Sequence, residues 1–334
     1  MIDISWESIA KVLLAVIAFW ILWIIRDVLA LFFITIIIVS ALTPVVDGWS
    51  KNVPRFVAVI VLYLLILVGL SLIGSLLVPP LVREIGDLSA VLPQYLGNLS
   101  NYLGGLKNLA GLSSQQFDSI SQSISNITTH VYSTTIGIIG SVVGLFTIAV
   151  VSFYLLVDPS GMNELIGSFV PKEHQLRTHR ILEEITLKMG AWLRGQLLLA
   201  LIVGVLDAIG LLVIGVPFAL TLGVWAGFTE IIPYIGPVLG ALPALAIALI
   251  ASPLKGLFTL VLFALVQQLE GQVLVPKIMG KAVGLSPVVI IFAILVGAQL
   301  DGIIGVILAI PVAAAISVII KELIGGKLYG SHRS

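Results

Sequence analysis

Apolar stretches long enough to cross a bilayer recur along this chain, and no other feature constrains its fold as strongly. A helix needs about 20 apolar residues to span the hydrocarbon core, and only helices or closed barrels satisfy their backbone there. The stretches are Ile9–Ile25, Val28–Thr43, Phe56–Val78, Ile136–Val157, Leu197–Ile214, Phe218–Ala251, Leu257–Val275 and Val288–Ile320. They are too continuous for barrel strands, which alternate apolar and polar residues. Composition agrees, with 59% of the 334 residues hydrophobic and 10% charged, where a soluble domain carries about a quarter charged. The expected fold is all-α: a polytopic helical membrane protein of about eight helical segments, two of them broken or re-entrant, plus an extracytoplasmic amphipathic helical insert. The run Leu13–Ile25 could pass for a signal sequence. No small-residue cleavage site follows it, however, and another apolar run begins at once, so it reads as a retained span.

Several function classes fall away. Net charge is zero, so no bulk electrostatic pull toward nucleic acid exists and none is expected as a partner. Cysteine is absent, which removes disulfides, thiolate metal sites and thiol nucleophiles. No HExxH or GxSxG occurs, and Lys281-Ala-Val-Gly284 lacks the glycine spacing of a phosphate loop. His174 and His179 stand five apart without matching carboxylates and read as part of a solvated loop. Asp207 and Asp301 lack the glycine flanks of an intramembrane aspartyl pair. The expectation is no enzyme, no cofactor and no metal.

Lys and Arg in short loops orient the chain. Lys172, Arg177, Arg180, Lys188 and Arg194 cluster in 158–195, Lys51 and Arg55 lie in Pro44–Arg55, and Lys321, Lys327 and Arg333 lie toward the end. Placing all three groups in the cytoplasm puts both termini inside. The organisation expected is N-terminal transmembrane helices over 1–78, an extracytoplasmic segment over 79–135 and a transmembrane helix over 136–157. A cytoplasmic basic segment over 158–195, a transport region of broken helices over 196–323 and a cytoplasmic tail over 324–334 follow. Within Pro79–Thr135 the apolar residues Leu81, Ile85, Leu88, Leu92, Tyr95, Leu99, Tyr102, Leu106 and Leu109 alternate spacings of four and three, a heptad stripe. Phe117, Ile120, Ile124, Ile127 and Val131 continue it. Pro93 and Gly104-Gly105 are expected to interrupt any single rod. Amphipathic helices packed on each other or on the membrane, or helices that assemble neighbouring protomers, both fit.

Four acids stand inside apolar runs: Asp207, Glu230, Glu270 and Asp301. Each costs about 2.5–3.5 kcal/mol at mid-membrane and needs a reason to be there. Ion pairs or interfacial positions would serve, but four acids in the C-terminal half also suggest a polar pathway. The two longest runs resemble each other. One passes from Pro217 through Gly227 and Glu230 to Pro233-Tyr-Ile-Gly236-Pro237. The other passes from Pro287 through Gly297 and Asp301-Gly302 to Gly305. Helix, Pro/Gly break and helix free backbone groups at membrane depth, which is tolerated only inside protein or along a cavity, where half-helix ends can hold ions or polar solutes. Re-entry of both runs, with one span between them, would place two hairpins on opposite faces. Ordinary kinked spans remain the alternative.

The segment from Gly215-Val-Pro217 through Glu230-Ile-Ile-Pro233-Tyr-Ile-Gly-Pro237 resembles the autoinducer-2 exporter family, or PerM-like permeases. The resemblance continues through Glu270-Gly-Gln-Val-Leu-Val-Pro276, Val283-Gly-Leu-Ser-Pro287, Gly302, Gly305 and Ala309-Ile-Pro311. It implies a multi-pass protein of the prokaryotic inner membrane that assembles as a homo-oligomer and exports autoinducer-2, with sodium(lithium)/proton antiport assigned to other members. It also marks Glu230, Pro233, Tyr234, Gly236, Pro237, Glu270, Asp301, Gly302 and Gly305 as motif positions. The resulting expectation is a transporter of a small polar solute, with monovalent-cation antiport or a passive oligomeric channel as alternatives. Its partners are that solute or cation and the lipid bilayer.

Overall fold

The computed structural model describes residues 23–110, 142–159, 170–279 and 284–330, with a few positions between 11 and 21. The expected span Ile9–Ile25 is described only in part, and the second part of the amphipathic stripe, Phe117 to Val131, and the end of the tail lie outside the described residues. Among the described residues the chain is helical and holds no strand. In order it forms α1 (Arg26–Trp49), α2 (Arg55–Ala110), α3 (Val142–Val157), α4 (Lys172–Ile214), α5 (Ala219–Thr229), α6 (Gly236–Ala251) and α7 (Pro253–Leu269). A π-helical turn (Glu270–Leu274), α8 (Val275–Ile278) and α9 (Pro287–Gly330) complete it. Among the described residues five helices are long and apolar enough to cross a membrane: Arg26–Trp49, Arg55–Glu84, Lys172–Ile214, Pro253–Ile278 and Pro287–Glu322. Large apolar side chains cover their outer faces, with Val213 83%, Phe292 68% and Val28 67% exposed. Such a surface is untenable in water and ordinary against lipid.

Several helices overrun the limits read from the sequence. The stretch Arg55–Ala110 is one α-helix of 56 residues, and Pro93 and Gly104-Gly105 do not interrupt it. A proline costs a helix about 3 kcal/mol and a glycine about 1 kcal/mol, penalties that a helix of this length carries without breaking. From Lys172 onward the basic segment is not a loop but the first half of α4, and His174 and His179 sit on its opening turns. No group of three metal-ligating side chains occurs among the described residues. Arg177 forms an ion pair with Glu322 at 3.4 Å and donates to its backbone oxygen, which brings the start of α4 and the far part of α9 to one end of the molecule.

Pro44, expected to start a loop, lies inside α1. Its missing amide deprives the Ser40 carbonyl of the usual i+4 partner. Arg194 supplies the replacement, donating from Nη1 to Ser40 O at 3.3 Å and to Ala41 O at 3.0 Å. Close approach of the two helices needs Gly190, where a Cβ would stand 2.3 Å from Ser40 O. Arg194→Leu is expected to cost about 1 kcal/mol for this partly exposed bond. The loss should shrink on a Pro44→Ala background, where the residue-44 amide can take the Ser40 carbonyl. Thermal unfolding of the two single variants and the double checks this, and strict additivity would contradict it.

The two longest apolar runs are both broken. The first becomes α5 and α6, each too short to cross, joined by a turn at 230–235 and packed against each other. Gly236 lies so near the end of α5 that a Cβ would meet Thr229 O at 2.1 Å, and one at Gly240 would meet Ala226 Cα at 3.0 Å. The second breaks at Asp301 (φ −147, ψ 28) and Gly302 (φ 56, ψ −131). A Cβ on Gly297 would meet Gly305 O at 2.3 Å. In a continuous helix those residues would be about 12 Å apart, so the arms of α9 fold back on each other. Leu211, Leu222, Ala244 and Ile247 bury the first hairpin against α4. Its turn residue Ile232 packs on Ile294, Val306 and Ala309, so the turn of the first hairpin rests on the arms of the second.

Candidate functional site

Three helices turn polar faces inward at one level. On α4, Gln196, Val203 and Asp207 are seven and eleven residues apart, close to whole turns, and share a face. On α7 and the turn after it, Phe263, Val266, Gln267 and Glu270 follow the i, i+3, i+4, i+7 pattern of one stripe. Ala226 and Glu230 are four apart at the end of α5, and Pro237 opens α6. Val203, Asp207, Ala226, Glu230, Pro237, Phe263, Val266, Gln267 and Glu270 enclose a cavity of about 10 Å³, room for about one water molecule.

Asp207, Glu230 and Glu270 are 1%, 2% and 8% exposed. The Glu230 and Glu270 carboxyls face each other within hydrogen-bonding reach, and Asp207 acts on both through space. Gln267 Nε2 donates to Glu270 Oε2 at 3.1 Å, and Gln196 Nε2 donates to the Glu230 backbone oxygen at 2.6 Å. Asp207 Oδ1 and Glu230 Oε2 have no hydrogen-bond partner among the described residues. Among the described residues no Lys or Arg lines the cavity. Arg194, the nearest basic residue of α4 in sequence, is spent on the carbonyls of α1. Three carboxyls in an apolar cage cannot all carry uncompensated charge. They can hold protons among themselves as a coupled set, or share a small cation.

Glu270 opens the π-helical turn, a widening often found at functional positions. Pro276 follows six residues on, where a plain α-helix would press its ring against the Gln272 carbonyl. The other residues singled out from the sequence fall elsewhere. Pro233 and Tyr234 form the turn of the first hairpin, with Tyr234 exposed and held at φ 64. Gly236 makes the close approach described above. Asp301 is half-buried at the break of α9 and does not line the carboxyl cavity, while Gly302 and Gly305 serve the fold-back. Thus three of the four intramembrane acids form one group and the fourth marks the second hairpin. Sequence reading missed Gln196, Val203 and Phe263. The helical spacing of Gln196 from Asp207, and of Phe263 from Glu270, was the signal available.

Crossing helices, two fold-back segments and a buried carboxyl cluster define a polytopic helical membrane protein with an acidic interior. The chain matches the sequence profile described as AI-2E family transporter over residues 12–325, and it belongs to that family of membrane transporters and permeases. YrrI of Bacillus subtilis (strain 168), provisionally named a transport protein, is 31% identical over 328 residues, covering 95% of this chain and 89% of that one. YueF of the same organism, named in the same way, is 35% identical over 178 residues, 53% of this chain and 48% of that one. PerM of Escherichia coli (strain K12), provisionally named a permease, is 28% identical over 183 residues, 54% of this chain and 52% of that one.

Proposed function

We propose that this chain is an ion-coupled secondary transporter. Asp207, Glu230 and Glu270 bind protons and a monovalent cation in turn, and that exchange drives export of a small polar solute. Autoinducer-2 is the cargo to which the family resemblance points. The observation that carries the reading is the group of three buried carboxyls, with no basic residue beside them among the described residues. A carboxylate at membrane depth is expensive unless it binds something, and a site that can take either a proton or a cation is what coupling requires. Asp301, Gly302 and Gly305, at the fold-back of α9, form a gate in this reading. The protein acts as a homo-oligomer in a prokaryotic inner membrane with both termini in the cytoplasm. The Arg177–Glu322 pair supports a common side for the basic segment and the C-terminal helix.

A second reading, sodium(lithium)/proton antiport with no further cargo, is favoured by the size of the cavity, which suits a cation better than a larger solute. Flux in proteoliposomes with a trapped pH dye separates the two. Proton movement on adding sodium or lithium, with no autoinducer-2 requirement, establishes antiport. Proton movement tied to autoinducer-2 uptake establishes coupled transport. Autoinducer-2 flux with no ion dependence would make the protein a passive channel and end both readings.

A further inference from the structure

The mouth of the first hairpin is held by two charged side chains that come from helices outside it. The loop between α4 and α5 joins a helix C-terminus, with partial negative charge, to a helix N-terminus, with partial positive charge. Each end receives its opposite. Lys255, in the first turn of α7, donates to Gly215 O at 2.5 Å, the residue that closes α4 in the left-handed conformation at φ 73. Glu84, on α2, accepts through one oxygen from the Thr221 amide at 2.9 Å and from the Thr221 hydroxyl. Thr221 lies in the opening turn of α5, where amides have no acceptor within the helix. The local N-cap, Phe218, offers none either and sits in the left-handed region at φ 61, a conformation that a bulky residue keeps only when its surroundings hold it. The cap of α5 is thus supplied across 137 residues of sequence.

The helix that Glu84 holds ends at Thr229, next to Glu230. Over this distance, about 13 Å at 1.5 Å per residue, a short helix transmits displacement as a rod. We propose that Glu84 is a positioning residue for the carboxyl cluster: by capping α5 from α2, it fixes where Glu230 stands relative to Asp207 and Glu270. The placement is a matter of geometry, and only its consequence for flux rests on the transporter reading.

The chain has no cysteine, so a pair of spin labels can be introduced without background. Val82→Cys on α2 and Phe228→Cys near the end of α5 replace exposed side chains, 62% and 65% accessible. The parent pair should give one narrow distance by pulsed electron paramagnetic resonance. Glu84→Ala and Thr221→Val should each broaden or shift it, their combination should add nothing further, and Glu84→Gln, which keeps an acceptor oxygen, should stay near the parent. In proteoliposomes Glu84→Ala should raise the half-saturating cation concentration about tenfold, the scale of losing a charge-assisted bond, with the maximal rate largely kept. An unchanged distance distribution in Glu84→Ala overturns the proposal whatever the flux. Absence of cation-driven flux in the parent overturns the transporter reading, while the distances still decide whether Glu84 is the anchor.

Discussion

Glu230→Gln is expected to abolish cation-driven proton movement, by about 100-fold or more, while the folded protein melts no lower than its parent. Loss of a group that takes and gives the transferred proton is worth at least that factor. Stability should move the other way. Glu230 Oε2 is buried without a partner and its carboxyl faces that of Glu270. An amide of the same shape removes one member of the acidic cluster and can donate to Glu270, which favours the fold by about 1 kcal/mol. Asp207→Asn should behave alike, since Asp207 Oδ1 is also unpartnered. Proteoliposome flux with thermal unfolding checks both halves. A Glu230→Gln protein that moves protons at the parental rate would remove Glu230 from the mechanism. Asp301→Asn tests the gate at the fold-back of α9 separately, and full flux with full pH dependence would take Asp301 out of the pathway.

Gly305→Ala is expected to disrupt the second hairpin. The new Cβ would stand 2.0 Å from Gly297 O and 2.7 Å from Gly297 C. Both are backbone atoms, so relief requires prising the arms of α9 apart. The cost should reach about 4 kcal/mol, the level reserved for overpacking that cannot relax. Gly236→Ala, with its Cβ 2.1 Å from Thr229 O, should damage the first hairpin similarly. Gly69→Ala is the control: its Cβ meets nothing within 4 Å, and its effect should stay within about 0.5 kcal/mol of neutral or favour the helix. Thermal unfolding of the purified variants distinguishes these outcomes. A Gly305→Ala protein that melts with the parent would show that the arms of α9 do not meet as described.

The helical membrane fold was legible because long apolar runs leave the backbone no alternative in lipid. The breaks were legible too, since Pro233 with Gly236, and Asp301 with Gly302, are residues that end or turn a helix. Helix ends were less so. Pro44 and Pro93 read as stops, yet both lie inside helices, because a proline needs only some donor for the carbonyl it strands. At Ser40 that donor is Arg194, and nothing within α1 announces it. Site membership divides along the same line. Asp207, Glu230 and Glu270 stand out as acids in apolar surroundings, and so does Asp301. Only tertiary packing decides that the first three converge while Asp301 stays at the fold-back. Glu84 is invisible from sequence for a stronger reason: it lies at the far end of an apolar span, and its partner Thr221 is 137 residues away.

Proton release decides whether the three carboxyls hold protons that a cation can replace. Sodium or lithium chloride is added to purified protein in weakly buffered detergent, and the pH is followed against a choline chloride control. The account predicts release of at least about one proton per chain, saturable in cation and lost in Glu230→Gln. Native, folded protein that releases no protons with either cation would contradict it.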